Sequence, residues 1–535
     1  MQMKQPIIFV FGMLYCFAFT FSVMAQTQPA VALDLAFEKE AFFNILTEES
    51  HQERADSAFV YRVGNRHQVS IPVEKKAECS ILPGGHRIYR IGFRSPGAAF
   101  MDLSFDRFHL PEGGYAYLYN PDTRHCNGPY FPEEISDSMG FSTDLLPGDR
   151  ALLLCYVPAS AKDSLQIRLR CIVAGQKSFF NSGETPACLI NTACEEAEKY
   201  HDQVQSVVLI YMDGYLCSGT LLNNTAQDGT PYILTAAHCM EEISHPRYGS
   251  WKFFFNIASY SCASNQNGPA LNDANLQVMT GCSLVAKGKN SDFLLLKLNR
   301  QIPESYNAYY SGWDRRNQAP SKGVAGIHHP KGDYKKISLS SQAPVTDNCS
   351  GVGFNRMAFW RFFWTKGMAF QGSSGSGLFE SQNKRLVGTL TAINDVTCES
   401  SVDRRLCWYG KLSYHWFANN EEDPAQQLRP WLDPTHSGTL FLDGSYLRSS
   451  ATRTVPEQEP QIRLYPNPAS DVITLENEGS NIRSVKIYSI SGQLLRTLPA
   501  ESGTISLEGL PEGIHLMIVT TDRQTKHIRF TIIRH

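Results

Sequence analysis

A histidine, an aspartate and a serine stand in three separate short motifs of this 535-residue chain. His238 lies in Leu234-Thr235-Ala236-Ala237-His238-Cys239, and Asp292 heads the apolar stretch Phe293-Leu294-Leu295-Leu296. Ser374 lies in Gly372-Ser373-Ser374-Gly375-Ser376-Gly377. These residue types can build one activated nucleophile. A serine hydroxyl is weak alone and needs a base within hydrogen-bond reach. An imidazole, with an ordinary pKa of about 6.5, can take the proton and return it near neutrality. A buried carboxylate behind it fixes the tautomer and stabilises the imidazolium. Gly372 and Gly375 let the backbone turn sharply, so that N–H groups can face a developing oxyanion. One such donor is typically worth about 2.7–4 kcal/mol of transition-state stabilisation.

The elements that must position these groups read as strands. Ser206-Val207-Val208-Leu209-Ile210-Tyr211, Phe293 to Leu298 and Arg385-Leu386-Val387-Gly388-Thr389-Leu390 punctuate residues 178–445, with one short helix from Cys194 through Glu195, Glu196, Glu198 and Lys199. Residues 26–177 alternate short strands, such as Arg87 to Phe93, Tyr115 to Tyr119 and Ala151 to Tyr156, with Gly/Pro turns, the pattern of a β-sandwich. Residues 446–461 are polar and Pro-containing, as in a linker. Residues 462–535 alternate apolar and polar around turns such as Ser491-Gly492-Gln493, predicting a small seven-strand-like sandwich. Residues 1–25 read as a signal peptide: Lys4, an apolar run from Pro6 to Phe21, then Val23-Met24-Ala25. The fold expected is all-β throughout.

The order His, Asp, Ser is that of the chymotrypsin-like serine proteases. Residues 188–445 resemble a bacterial lysyl endopeptidase of that class. The resemblance runs through Cys188 and Cys194, Leu216-Cys217-Ser218-Gly219-Thr220 and Gly312-Trp313-Asp314-Arg315-Arg316. It continues through His328-His329-Pro330 and Trp431-Leu432-Asp433-Pro434. It implies a double β-barrel with the site in the cleft between barrels. The implied roles are His238 as base, Asp292 as its orienter, Ser374 as nucleophile, and the N–H groups of Gly372 and Ser374 as oxyanion donors. The resemblance also implies the bridges Cys188–Cys398, Cys194–Cys262 and Cys217–Cys239. At the substrate pocket the chain departs from the family: Cys407 stands where an aspartate is expected, and Thr391 replaces a histidine. Asp403, Asp395 or Glu399 could supply an anion from a rearranged loop. Cleavage after Lys or Arg therefore stays open beside a non-basic preference. A non-catalytic surface binding protein on the same fold is the rival class.

Leu464-Tyr465-Pro466-Asn467-Pro468-Ala469-Ser470 and Leu510-Pro511-Glu512-Gly513-Ile514 resemble a type IX secretion C-terminal sorting domain. The 26–177 region looks like the propeptide domain of secreted proteases. Autoprocessing is expected near Lys177-Ser178, so that the mature enzyme begins between Lys177 and Cys188. The expected partners are protein or peptide substrates and the type IX machinery, and a monomer is expected. The location expected is secreted or cell-surface, reached through the periplasm.

Composition narrows the remainder. Lys+Arg 49 against Asp+Glu 52 gives a net charge of −3, which argues against a nucleic-acid binder. Charged residues at 19% argue against disorder. Fourteen cysteines in an exported chain point to disulfides. With Cys16 in the signal peptide thirteen remain, an odd number that predicts a free or intermolecular thiol. Cys79, Cys126, Cys155 and Cys171 suffice for two bridges. Cys349–Cys407 is expected as a further bridge, leaving Cys282 free. Adjacent His328 and His329 point apart on a strand and read as packing residues, so no metal and no cofactor is expected. The aromatic run from Met357 to Trp364 reads as wall and core. Lys331, Lys335 and Lys336 read as a solvated loop.

Overall fold

The computed structural model describes residues 42–44, 60–132, 140–176, 180, 186, 188–446 and 461–534. Short interruptions fall at 83, 242, 244–245, 264–267, 272, 274–275, 355, 395–396, 418–422, 468, 479–480, 490–493, 500–502, 523–524 and 533. The expected signal peptide, most of the expected linker, the Lys177-Ser178 site, Asp395 and the Ser491-Gly492-Gln493 turn lie outside the described residues. The chain forms two compact units, Phe42–Ser450 and a C-terminal unit containing Ala451–His535.

The larger unit begins with a β-sandwich. One sheet orders Phe42–Asn44, Arg87–Arg94, Arg150–Val157, Tyr115–Tyr119 and Cys126–Tyr130, with Glu78–Ile81 also on Arg87–Arg94. The other orders Leu146–Pro147, Phe100–His109, Gln166–Gly175 and Gly64–Pro72, with Phe141–Ser142 on Phe100–His109. Strand periodicity explains the core. Ala151, Leu153, Cys155 and Val157 alternate along one strand and all enter the same apolar cluster, with Leu103, Phe105 and Leu169 of the facing sheet.

Two curled sheets follow, as the resemblance led one to expect. The first orders Val278–Thr280, Lys252–Phe254, Val207–Met212, Tyr215–Leu222, Tyr232–Thr235, Phe293–Leu298 and Cys282–Gly288. The second contains Ile190–Asn191, Lys336–Ser340, Val324–His328, Gly377–Glu380, Leu386–Ile393, Leu406–Lys411, Phe359–Phe363 and Val345–Asp347 in that order, with Trp313–Asp314 and Phe441–Leu442 at its side. Each has its own core, and a third cluster joins them: Leu222, Leu234, Phe293 and Leu295 meet Trp313, Ile327, Phe379 and Trp416. The helical segment expected near Cys194 is a 3-10 turn, Glu195–Tyr200, continued by the α-helix His201–Ser206.

In the C-terminal unit, Gln461–Tyr465, Val472–Glu478 and Gly503–Ser506 form one sheet. Leu494–Leu498, Ile482–Ser489, Gly513–Thr521 and Thr525–Ile532 form the other. Ile473, Leu475, Val485, Ile487, Met517 and Phe530 fill the space between them. Among the described residues of this unit there are seven strands, the number the alternation predicted.

The cysteines depart from expectation. Three bridges are present: Cys188–Cys398, Cys194–Cys262 and Cys217–Cys239. Cys79, Cys155, Cys171, Cys282, Cys349 and Cys407 are free, and Cys126 takes part in none of the three bridges. The expected Cys349–Cys407 bridge is absent for a geometric reason. Strand Phe359–Phe363 runs between them, pairing Asp347 through Phe359 on one side and Cys407 through Phe362 on the other. Two strand spacings, about 9–10 Å, exceed the roughly 7 Å that a bridge can span. Cys79 and Cys155 are likewise held apart, both pairing with Tyr89 from opposite sides. Lys335 and Lys336 correct the solvated-loop expectation: both are buried. The Lys335 ammonium donates to the carbonyls of Val204 and Phe255, and that of Lys336 donates to Asn191.

Trp313 is the anchor between the two curled sheets. It is fully buried, packs against Trp416 with ring centroids 4.6 Å apart at a tilt of 47°, and donates its indole N–H to the Asn223 carbonyl at 2.9 Å. Trp313→Ala should remove about 3–5 kcal/mol of stability by urea unfolding. A loss below about 1 kcal/mol would show that this contact does not hold the sheets together.

Candidate active site

His238 leaves the strand Tyr232–Thr235 on a short 3-10 turn, Ala237–Met240. The neighbouring Cys239 is stapled to Cys217 of strand Tyr215–Leu222. The Thr235 hydroxyl donates to the Ser218 carbonyl at 2.8 Å. The imidazole is thus carried on a loop tied twice to the adjacent strand.

Asp292 is buried at the start of Phe293–Leu298 with φ at +62°. That left-handed conformation is uncommon outside glycine, although Asp tolerates it better than most residues, and it marks places where the surroundings over-determine the backbone. The surroundings are visible. A Cβ on Gly410 would lie 2.2 Å from the Ser291 carbonyl, so only glycine admits this approach. His415 bridges the Ser291 hydroxyl at 2.9 Å and the Thr389 hydroxyl at 3.0 Å. The turn therefore delivers both carboxylate oxygens to one residue. Oδ2 lies 2.7 Å from His238 Nδ1, and Oδ1 accepts from the His238 backbone N–H at 2.9 Å.

Ser374 is brought to the same loop by Ser218. The Ser218 N–H donates to the Ser374 carbonyl at 2.9 Å, and the Ser218 hydroxyl donates to the Gly372 carbonyl at 2.9 Å. Gly375, at φ +79°, packs so tightly that a Cβ would stand 2.0 Å from Thr235 Oγ1 and 2.7 Å from Ala236 N. The serine loop and the histidine loop are thus in direct contact. Gly372 also has positive φ, at +85°.

The carbonyls of the serine loop are engaged one by one. That of Gln371 accepts from Lys331 N–H at 2.7 Å and that of Ser373 accepts from Ser376 N–H at 3.1 Å. In a trans peptide the N–H points opposite to its C=O. The Gly372 and Ser374 N–H groups therefore point away from these partners. Ser373 is turned the other way: its hydroxyl lies 2.8 Å from His328 Nδ1, whose Nε2 lies 3.1 Å from the Ser338 hydroxyl.

A small open pocket adjoins Ser374, lined by Phe370, Gln371, Leu390, Thr391, Ala392 and Ile393. Of the three residues expected at the substrate pocket, Thr391 lines it, at a bulge in the pairing of Leu386–Ile393 with Leu406–Lys411. Cys407 is buried one strand over, opposite Ile393. Asp403 and Glu399 are exposed, Asp403 on the 3-10 turn Val402–Arg404. No group of acidic, cysteine or histidine side chains among the described residues is arranged to hold a metal ion.

The motifs missed His328, Ser218 and His415 as supports. Ser218 was visible in the Cys217-Ser218-Gly219 run. Nothing local marks His415, because its partners, Ser291 and Thr389, are distant in sequence.

With this geometry in view, the comparisons are specific. Residues 182–410 match the family described as lysyl endopeptidase, C-terminal domain, and residues 463–534 match the secretion system C-terminal sorting domain. The chain carries both of these domains. A lysyl endopeptidase of Pseudomonas aeruginosa is 29% identical over 269 residues, covering 47% of this chain and 54% of that relative. The chain thus spans about half the length of the curated relative it matches. Among solved structures, the inactive form of a serine-to-alanine mutant of Rv3671c from M. tuberculosis H37Rv is matched. It has 11% identity and a TM-score of 0.26, over 40% of this chain and 84% of that one. The sorting domain makes this a secreted or cell-surface protein addressed to type IX secretion.

Three buried histidines tie stability to pH. Burial, with the Lys336 charge, pushes His328 down to about 3. Burial, with the Lys335 charge, holds His329 well below the usual range, and burial pushes His415 down to about 3. All three fold neutral and unfold to an imidazole of pKa about 6.5. The unfolded chain therefore binds more protons between these values. Stability is fully present above pH 6.5 and is lost as the pH falls toward 3. By pH 5 His328 and His415 each contribute a loss of about 2 kcal/mol. The melting temperature of the Ser374→Ala protein should fall steeply from pH 7 to pH 5, above the range where carboxylates titrate. A flat profile there would contradict the burial of neutral imidazoles.

Proposed function

We propose that the protein is a secreted serine endopeptidase. The observation that carries this reading is the double hold of the Asp292 carboxylate on His238, on a loop packed against the Ser374 loop. In this mechanism His238 Nε2 takes the Ser374 proton as Oγ attacks the scissile carbonyl. Asp292 keeps the proton on Nδ1 and stabilises the imidazolium. The Gly372 and Ser374 N–H groups receive the oxyanion, and His238 returns the proton to the leaving amine. Water repeats the sequence on the acyl-enzyme. His328 fixes the loop from behind through Ser373.

For the substrate, the reading favoured is a small neutral side chain at P1. Behind the pocket lie Cys407, Phe362, Trp364 and Tyr409, all buried, with Phe362 stacked on Tyr409 and set edge-on to Trp364. Among the described residues no acidic side chain lines the pocket, and an unpaired buried charge is strongly unfavourable for a lysine ammonium. Ile393 lines the pocket, and the buried Thr391 hydroxyl makes no hydrogen bond among the described residues. A P1 alanine, serine, threonine or valine suits this lining.

Fluorophosphonate should label the wild-type protein and fail to label Ser374→Ala. Absence of labelling in folded wild type would instead favour the non-catalytic binding protein. Cleavage of a P1-varied peptide library should favour small neutral residues over Lys and Arg by at least about 100-fold in kcat/KM, and Ile393→Gly should admit larger side chains. A Lys or Arg preference would reject the pocket reading while leaving the nucleophile in place.

A further inference from the structure

The strand Val207–Met212 is buried along its whole length. Its alternate residues Val208, Ile210 and Met212 fill the core of the first curled sheet. Its other face carries Leu209 and Tyr211, which in a free sheet would meet water. Here they pack, with Phe254 of the next strand, against Val63, Phe100 and Leu145 of the N-terminal sandwich. A strand that is apolar on both faces is covered on both faces, and the cover is this domain.

The join extends to the backbone. Tyr61–Arg62 adds to the edge of Tyr215–Leu222, pairing Tyr61 with Leu216 and Arg62 with Tyr215. The Val63 N–H donates to the Gly214 carbonyl at 2.8 Å. Charges cross the same surface. The Lys252 ammonium, wholly buried, donates to Asp102 at 2.9 Å and to Ser142 at 2.8 Å. Arg247 pairs with Asp106 at 2.6 Å, and Arg66 lies 3.7 Å from the buried Asp213. In each pair one residue belongs to the sandwich and the other to the first curled sheet or its connections. None of the residues lining the pocket beside Ser374 comes from the sandwich.

We propose that the sandwich ending at Gly175 is a permanent partner of the catalytic sheets, staying docked on the first of them after the connection at 177–187 is cut. A domain that left would uncover Leu209, Tyr211 and Phe254 together, and would strip Lys252 of Asp102 and Ser142. A domain that stays leaves the pocket open. The partner is therefore recognised by strand addition, an apolar face and a desolvated lysine–aspartate pair, and it does not act by filling the cleft.

The test uses the full chain carrying Ser374→Ala, with a site-specific protease sequence placed at residues 181–185. This separates it from the question of peptidase activity. After complete cutting, both fragments should co-elute 1:1 on size exclusion down to low micromolar concentration, with an unchanged melting temperature. In the same cut background, Asp102→Ala should raise the dissociation constant at least tenfold. Separate elution of the fragments at micromolar concentration, with the catalytic fragment melting as before, would overturn the proposal. The dilution series on the cut parent decides by itself if Asp102→Ala does not fold.

Discussion

The hold of one buried carboxylate on one histidine is the constraint around which the rest of the larger unit is organised. Asp292 gives both oxygens to His238, one to the ring and one to the backbone. A buried carboxylate is tolerated only where its acceptors are satisfied, and here a single residue satisfies both. The arrangement requires the turn at Asp292 to adopt a left-handed backbone, which Gly410 of the second curled sheet and His415 of the helix Leu412–Phe417 that follows it enforce. The acid belongs to the first sheet and its supports to the second and the helix after it. The apolar contacts that join the sheets, with Trp313 and Phe293 among them, therefore also set the geometry of the pair.

The serine loop is positioned by the same economy of contacts. Ser218 supplies its N–H to Ser374 and its hydroxyl to Gly372, and it receives the backbone N–H of His329 at 2.9 Å. One residue of the first sheet thereby fixes the serine loop of the second. The buried His328–Ser373 contact completes the loop from within. The turn is fully formed by internal side chains with the sandwich docked elsewhere on the molecule.

Much of this was legible in the sequence because the decisive signals are local. The three motifs, the strand alternation and the seven C-terminal strands are short-range patterns that survive in any single chain. The three bridges came with the family resemblance. What was not legible depends on which strands become neighbours. Cys349 and Cys407 look pairable until Phe359–Phe363 is found between them. Lys335 and Lys336 look solvated until carbonyls from distant segments close over them. The unbroken apolar run at 207–212 did carry information about a second covering layer, but only the structure identifies that layer as the N-terminal sandwich.

In the proposed mechanism the carboxylate sets the tautomer of the imidazole. Asp292→Asn preserves size and burial but replaces one acceptor oxygen by a donor, which should leave His238 in the wrong tautomer. The most direct measurement is kcat of this variant on a cleavable peptide, with circular dichroism to establish that the fold is retained. A fall of about ten-thousandfold is expected. A folded Asp292→Asn enzyme within tenfold of wild type would show that the pair, however close, does not drive the chemistry.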